Sequence, residues 1–329
     1  MGRGAESPPP SLPIRARPAS NALSSHAIGN TTRVAYIGSM QESWRHHFVP
    51  KFLLRPWLTR DAKNQEVLLG FWWDRRRGSL SRKRRGLDSF CFQIGLLTLT
   101  AHRHGRDAIE RLFFGEIDDK GATARDILVA SGPQRPTAEQ RCDWARLLLS
   151  LEARRPPAVE KLRKEGSSFL TANLDDDPEI RAAMEEYGIS QAPSSYVEQQ
   201  LGWRLEDRAL GIIQRMVDDP AVGGRLINAH WAVRRLGRDD GQLVLSDRPL
   251  IRINGYNHPG AVWVLPLAPS AAFIACNHPS NLGILQRLSG QRFVKETNRS
   301  SVNQAERFVF SVHDSDARWL SKHMRPPKS

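Results

Sequence analysis

Apolar residues in the middle of the chain recur at helical spacing. Within residues 106–129 the residues that carry this period are Ile109, Leu112, Phe113 and Ile117. Because a spacing near 3.6 places side chains along one face of a helix, this segment is predicted to be helical.

A second helix is predicted from its start signal and its stripe. Thr137 and Gln140 match the Thr-x-x-Gln capping box, in which the two side chains satisfy backbone N–H groups at a helix start. The i, i+3, i+4, i+7 stripe that follows consists of Trp144, Leu147, Leu148 and Leu151. Pro156 and Pro157 have no backbone N–H to donate, so this helix is expected to end or to kink there.

A third and longer helix is predicted from another capping pattern, Ser195 with Glu198. The apolar residues around and after it are Val197, Leu201, Leu205, Ile212, Met216 and Val217. Their spacing predicts one long amphipathic helix over this stretch.

Short β-rich runs flank the helical middle. Val67 to Trp73 is an apolar, aromatic run of strand length. Four runs after Pro220, separated by turn residues, cover 242–245, 261–267, 271–276 and 307–312. Because helices and strands occupy separate stretches rather than alternating, the sequence predicts an α+β fold. We expect the helical middle to pack on a C-terminal, mostly antiparallel sheet, with a short N-terminal β segment.

The same patterns divide the chain into three parts. Residues 1–43 are rich in Pro, Ser and Arg and lack an apolar period, which is typical of a disordered tail. Residues 44–313 are predicted to form a single α+β domain. Residues 314–329 are predicted to be a basic C-terminal tail.

Composition excludes several classes of protein. The chain of 329 residues is long enough for a sizeable core, and no run of about 18 apolar residues predicts a membrane span. Three widely spaced cysteines form no Cys-x-x-Cys pair, which predicts a reducing, cytoplasmic setting. No P-loop, Gly-x-Gly-x-x-Gly or His-Glu-x-x-His motif occurs.

The net charge of +13 favours a nucleic-acid partner. Lys and Arg total 48 and only nine are Lys, so an alternative interpretation is the Arg bias of a GC-rich genome. Seven cations and no anion lie in Arg75 to Arg85, which predicts an exposed turn or hairpin between strands. Such a hairpin is either a solvated surface or a phosphate-binding patch.

The segment His46 to Pro50 (HHFVP) contains the strongest candidates for catalytic or metal-binding side chains. An imidazole acts as a general base, a proton donor or a metal ligand near neutral pH. The alternative for His47 is a structural hydrogen bond at the entry to the core.

Polar residues at predicted element ends add further candidates, each with a structural alternative. Glu110 and Asp118 lie about two turns apart on one predicted helix, either as a site or as a hydrated face. Arg154 ends the second helix, where it complements the helix dipole or turns inward to a carboxylate. Asp247 follows a strand, as a site residue or in an Asx-turn.

In order along the chain, these pieces resemble a family. The segment His46 to Arg55, the helix with Glu110 and Asp118, and the helix that ends in Arg154 resemble the proteins grouped as domain of unknown function 4238. So do the turn 246–249 and the segment 303–311, which brings the resemblance to roughly residues 44–312. The resemblance implies a mostly bacterial, soluble, intracellular protein. Arg248 stands where the family commonly has Asn or another small polar residue.

The resemblance also selects residues. Those at motif positions are His47, Arg55, Glu110, Arg154, Asp247, Asn303 and Arg307. Because they come from distant parts of the chain, we expect one convergent site where the helical part meets the strands.

Two hypotheses of function follow. The first is an enzyme that cleaves phosphodiester bonds in nucleic acid. In this hypothesis His47 is the general acid or base, and Arg154 stabilises the negative charge that develops on the phosphate. Asp247 or Glu110 orients His47 or holds a divalent ion. The residues expected to bind substrate are His46, Lys51, Arg55, Asn303 and Arg307. The sequence names no cofactor, and a divalent metal is one candidate. It also leaves the oligomeric state open. The second hypothesis is a non-catalytic binding or regulatory module in which these residues form a structural polar network.

Overall fold

The structure is a computed structural model and describes residues 45–100 and 105–324. The tail predicted over residues 1–43 lies outside the described residues, as does the end of the chain, 325–329.

Short strands open the described chain. In order they and the first helix are β1 (Arg45–His47), α1 (Lys51–Leu54), β2 (Leu58–Arg60), β3 (Glu66–Asp74), β4 (Ser79–Arg85) and β5 (Phe92–Ile94). β3 contains the predicted strand, and its antiparallel pairing with β4 confirms a hairpin in the Arg-rich segment. The carboxylate of Asp74 holds the turn, because its Oδ1 accepts the backbone N–H groups of Arg76 and Arg77 at 3.0 and 3.3 Å.

Helices fill the middle of the chain. A π-helical turn, Ile109–Phe114, leads into α2 (Gly115–Ser131), and then follow α3 (Ala138–Ala153), α4 (Pro156–Lys161), α5 (Ser167–Asp176), α6 (Pro178–Glu186), α7 (Pro193–Gln199), α8 (Leu205–Val217) and α9 (Pro220–Asn228). The predicted capping box is confirmed, since Thr137 Oγ1 accepts from Gln140 N and Gln140 Oε1 accepts from Thr137 N. Among the described residues, no helix has the length and apolarity that crossing a bilayer requires.

The prediction of one long helix after Ser195 is wrong. α7 starts at Pro193 with Ala192 as its N-cap, so Ser195 lies within the first turn of the helix. The chain then leaves helical geometry at Gly202, whose φ of +65° is a left-handed conformation that favours glycine, before α8 begins. The apolar spacing continues across this break because it reflects which side chains are buried, not whether the backbone stays helical.

Strands return after α9. The elements are β6 (His230–Arg235), β7 (Leu245–Ser246), β8 (Ile251–Ile253), β9 (Val262–Ala268), β10 (Ala271–Cys276), α10 (Pro279–Arg287), α11 (Gly290–Gln304), β11 (Val309–Ser311) and α12 (Ala317–His323). Within the described residues the strands form sheets in the orders β6-β10-β9-β8, β2-β3-β11-β7 with β4 also on β3, and β1-β5. Every recorded pair is antiparallel, which confirms the predicted α+β class.

Aromatic residues join the helical middle to the C-terminal sheet. Trp144 of α3 meets Phe273 of β10 edge to face, with ring centroids 5.4 Å apart, and both side chains are fully buried. Trp231 of β6 contacts the same phenylalanine at 5.1 Å. Such pairs contribute about 0.5–1.5 kcal/mol each beyond the area they bury. The expected packing of helices on the sheet is therefore confirmed.

The segment predicted as a basic C-terminal tail is instead partly folded. Residues 317–323 form α12, whose Leu320 is fully buried against Leu69 and Phe71 of β3. Asp314, just before it, forms ion pairs with Arg82 and Arg84 of β4 at 2.8 and 2.9 Å. Basic residues are common in this segment, but its fold is decided by apolar side chains that are buried, such as Leu320.

Gly70 gives a test of the packing in the sheet of β3. A Cβ atom there would lie 2.7 Å from Cε1 of the buried ring of Phe90, so we expect Gly70→Ala to destabilise the protein by about 1–3 kcal/mol. Gly86→Ala is the matched control, because a Cβ at Gly86 meets no atom within 4 Å. Thermal unfolding of both variants is the measurement, and equal melting temperatures would contradict this packing.

Candidate functional site

The two histidines of the HHFVP segment face different environments. They lie on β1, where successive side chains point to opposite faces. His46 is fully buried, and its Nδ1 accepts the backbone N–H of Leu97 at 2.8 Å. His47 is half-buried and lines an open pocket. His46 therefore does not reach a substrate in that pocket, contrary to prediction, because it forms part of the core.

The pocket has a volume of about 760 Å³. Its lining comes from β1, from α1 and the residues beside it, from the turn before β5, and from the π-helical turn and the start of α2. The residues are Arg45, His47, Pro50, Lys51, Phe52, Arg55, Asp88, Glu110, Gly115, Asp118, Asp119 and Ala122. Five predicted residues thus meet here, since His47, Lys51, Arg55, Glu110 and Asp118 all line it.

Glu110 lies on the π-helical turn that precedes α2. Such turns occur often at functional sites, because the wider turn changes the direction of its side chains. Glu110 Oε1 accepts the backbone N–H of His47 at 3.3 Å, which holds the carboxyl group beside β1. Its Oε2 and the Nε2 of His47 are buried and have no hydrogen-bond partner among the described residues. Two buried polar atoms of complementary chemistry thus lack a partner at the pocket wall, a state that is uncommon in folded proteins.

Burial moves the pKa values of these two groups in opposite directions. It raises the pKa of Glu110 to about 7, against the opposing charge of Arg154. It lowers the pKa of His47 below its usual 6.5, and the positive charge of Lys51 acts in the same direction. Near neutral pH the imidazole is consequently neutral while much of the carboxyl group keeps its proton.

Arg154 stands behind the pocket wall instead of in the pocket. Its side chain is fully buried, and its Nη1 and Nη2 donate to the two carboxylate oxygens of Asp118 at 3.0 and 2.6 Å. Nη2 also donates to Ser150 Oγ at 3.0 Å. The role predicted for Arg154, contact with a phosphate, is contradicted because the two Nη atoms of its guanidinium already bind the carboxylate of Asp118. Of the structural alternatives, the inward ion pair is the one observed.

Asp247 belongs to a different part of the molecule. It is 2% exposed, and its carboxylate accepts the backbone N–H groups of Glu306, Arg307 and Phe308 at 2.8–2.9 Å. Burial raises its pKa to about 6, which these hydrogen bonds partly offset. Asp247 is absent from the pocket lining, so it does not orient His47 as predicted. It fixes the turn that leads into β11.

The last two predicted substrate contacts also lie apart from the pocket lining. Asn303 is exposed on α11, and Arg307 is exposed with its guanidinium 4.7 Å from the ring centroid of Phe308. Arg248, the departure from the family pattern, binds Glu152 of α3 through two hydrogen bonds of 3.3 and 2.9 Å. The expected single convergent site is thus divided between an open pocket and a buried polar network around Asp247.

Three charged residues of the pocket lining are not among the predicted site residues. Arg45 precedes the two histidines, Asp88 forms an ion pair with Lys51, and Asp119 adjoins Asp118. Asp88 follows the Arg-rich strand and has no motif of its own to mark it. Within the described residues, no group of three His, Cys, Asp or Glu side chains is placed to hold a metal ion.

Comparison with known proteins identifies the family. The chain matches the family described as protein of unknown function (DUF4238) over residues 45–315. The chain belongs to this family. No curated protein and no solved structure matches it. All the residues that line the pocket lie inside the part that matches DUF4238.

The buried ion pair gives a test of the support beneath the pocket. Arg154→Met removes a fully buried guanidinium and leaves the partly exposed Asp118 carboxylate without its partner, so we expect a loss of about 1–3 kcal/mol in the free energy of unfolding. Arg146→Met is the matched control on the same helix, since Arg146 pairs with the half-exposed Asp218 and its loss should cost at most about 1 kcal/mol. Denaturant unfolding of both variants measures this, and similar losses would contradict the assigned role.

Glu110 predicts a specific dependence of stability on pH. Its pKa is about 7 in the folded protein and near 4.5 when unfolded, so the folded state binds more protons between these values. Stability from this group is complete below pH 4.5 and is lost as the pH rises through 7. Glu110→Gln removes this loss. We therefore expect the difference in melting temperature, variant minus wild type, to be more positive at pH 8 than at pH 5.

The control for this pH test is Glu116→Gln on α2. Glu116 is exposed and its pKa is lowered by the hydrogen bond from Lys120, so its substitution should produce no gain at pH 8. A Glu110→Gln variant whose melting temperature tracks wild type at both pH values would contradict a buried, proton-holding Glu110.

Proposed function

We propose that this protein is an enzyme that cleaves phosphodiester bonds in nucleic acid, with His47 and Glu110 as its proton-transfer pair. The observation that carries the proposal is that His47 and Glu110 line one open pocket, and that each has a buried polar atom, Nε2 and Oε2, without a partner among the described residues. Because a structural polar network would satisfy these atoms, their state favours a reacting ligand over a role in the fold.

The directions of the two pKa shifts support these roles. A neutral imidazole is a base and a protonated carboxyl group is an acid, and environments that separate two pKa values in this way are typical of acid–base pairs. His47 Nε2 takes the proton of the attacking hydroxyl group as its oxygen bonds to phosphorus. The bond to the leaving oxygen breaks as Glu110 gives that oxygen its proton. Exchange with water then restores both groups.

The pocket wall mixes cations with carboxyl groups, and Arg55 among them offers a contact for an anionic substrate. Arg45, Lys51 and Arg55 contribute three cations to the lining. Four carboxyl groups line it as well. Asp88 pairs with Lys51, Asp118 pairs with Arg154, Glu110 keeps much of its proton near neutral pH, and Asp119 adds a negative charge. Arg55 is exposed at the pocket, where its guanidinium would bind phosphate oxygens in a bidentate fashion.

The alternative is a non-catalytic binding module, and particular residues favour it. His46, Arg154 and Asp247 are buried and hydrogen-bonded, as a polar network that stabilises the fold requires. In this alternative the pocket binds a ligand without changing it. Both hypotheses predict binding, so cleavage is the deciding measurement.

Cleavage is tested with the full chain and end-labelled single-stranded RNA and DNA, with and without Mg²⁺. We expect His47→Gln and Glu110→Gln each to reduce the rate by about 10²–10⁴-fold, the usual contribution of a positioned acid or base. His230→Gln and Glu116→Gln, both exposed and outside the pocket lining, should retain the wild-type rate. Cleavage that is absent, or equal in all variants, would contradict the proposal.

The pH profile of cleavage adds a second readout. Activity should rise as His47 loses its proton below pH 6.5 and should fall as Glu110 loses its proton through about pH 7. A profile without the falling limb would contradict the role of Glu110 as the acid.

A further inference from the structure

The cations of β4 are divided between the two faces of its sheet. Residues paired across an antiparallel ladder share a face, and the register places Arg82 opposite Phe71 and Arg84 opposite Leu69. On that face Asp314 pairs with both arginines, so their charge is partly neutralised. The strand has no partner other than β3 in the described structure, and so it forms an edge of the sheet.

The opposite face of the same hairpin combines cations with aromatic rings. There Lys83 lies opposite Gly70 and Arg85 lies opposite Leu68, and both cations are exposed. Neither has an ion pair with a described carboxylate among the salt bridges of the structure. Trp72, opposite Ser81, is half-buried on this face.

The approach to β11 extends this face. Phe308 is half-buried and meets Trp72 edge to face at 6.2 Å, and the exposed Arg307 stacks over the Phe308 ring. We call the surface formed by Trp72, Lys83, Arg85, Arg307 and Phe308 the basic aromatic face.

The basic aromatic face leads to the pocket. β4 ends at Arg85, and Asp88 of the pocket lining follows three residues later, a span of at most about 10 Å along the chain. Phe90 continues the chain, and its ring lies over Gly70 and contacts Phe308 at 5.4 Å. A ligand that lies along Lys83 and Arg85 is therefore directed toward the rim of the pocket, where Asp88 and Lys51 meet.

We infer that the basic aromatic face binds a single strand of nucleic acid and guides it to the pocket, an inference that rests on the proposed function for its substrate. Cations along a strand repeat about every 6.8 Å on one face, which allows them to follow a flexible phosphate backbone. Accessible aromatic rings beside such cations stack on bases in a manner that tolerates any sequence. A duplex hides its bases from these rings, so the single strand is the favoured form.

The measurement is the affinity of the full chain for a fluorescein-labelled 12-nucleotide single strand, by anisotropy at several salt concentrations. All proteins carry Glu110→Gln so that the probe stays intact. We expect Lys83→Gln with Arg85→Gln to weaken binding at least tenfold and to reduce the slope of log K against log salt by about 1.4, the value for two phosphate contacts. Trp72→Leu should weaken binding about fivefold or more, with a smaller change in slope.

The matched control is the double variant Arg82→Gln with Arg84→Gln. It removes the same charge from the same strand on the opposite face, so it should change the affinity less than threefold. Melting temperatures of all variants verify that each is folded. Equal losses from both double variants, tighter binding to a 12-base-pair duplex, or binding to vesicles with anionic lipid in place of the strand would each overturn the inference.

The outcomes separate this inference from the proposed function. Binding that depends on Lys83 and Arg85 without any cleavage by the wild-type chain would support the face and contradict the enzyme. Cleavage that depends on His47, with a KM unaffected by Lys83→Gln and Arg85→Gln, would support the enzyme and contradict the face.

Discussion

The ion pair between Asp118 and Arg154 connects the candidate site to the rest of the fold. Arg154 caps the end of α3, the helix whose Trp144 packs against the C-terminal sheet. Asp118 lies on α2, directly after the π-helical turn that carries Glu110. Because a fully buried guanidinium needs its carboxylate partner, the pair holds α2 in place relative to α3. The position of Glu110 beside β1 depends on that arrangement.

The same pair affects the chemistry of the pocket. The positive charge of Arg154 lowers the pKa of Glu110, and the negative charge of Asp118 raises it, so the two contributions oppose each other. Burial then has the largest effect and leaves the carboxyl group with a pKa of about 7. Had either partner been absent, an uncompensated charge next to Glu110 would move its pKa away from neutrality. A structural interaction thereby tunes the group that we propose as the acid of the pocket.

The residues selected by family resemblance separate into two sets with different physical roles. Glu110 and His47 line the pocket with unpartnered atoms, whereas Arg154 and Asp247 have their hydrogen-bonding groups largely occupied by protein. Asp247 accepts three backbone N–H groups, a contact that fixes a turn and leaves little capacity for a substrate. A polar residue at a motif position therefore indicates either chemistry or architecture, and only its partners distinguish the two.

Sequence alone determined the α+β class, the capping box of Thr137, the hairpin of the Arg-rich segment and five residues of the pocket. These features depend on local periodicity, on capping and on residue type, all of which are properties of short stretches of the sequence. Tertiary structure decided that α7 and α8 are separate, that residues 317–323 are helical, and that Asp247 lies away from His47. It also decided which face of β4 keeps its cations available, because Asp314 approaches only Arg82 and Arg84 from a part of the chain distant in sequence. Burial and long-range pairing are properties of the folded chain, so the pKa shifts of His47 and Glu110 can be inferred only from the tertiary structure.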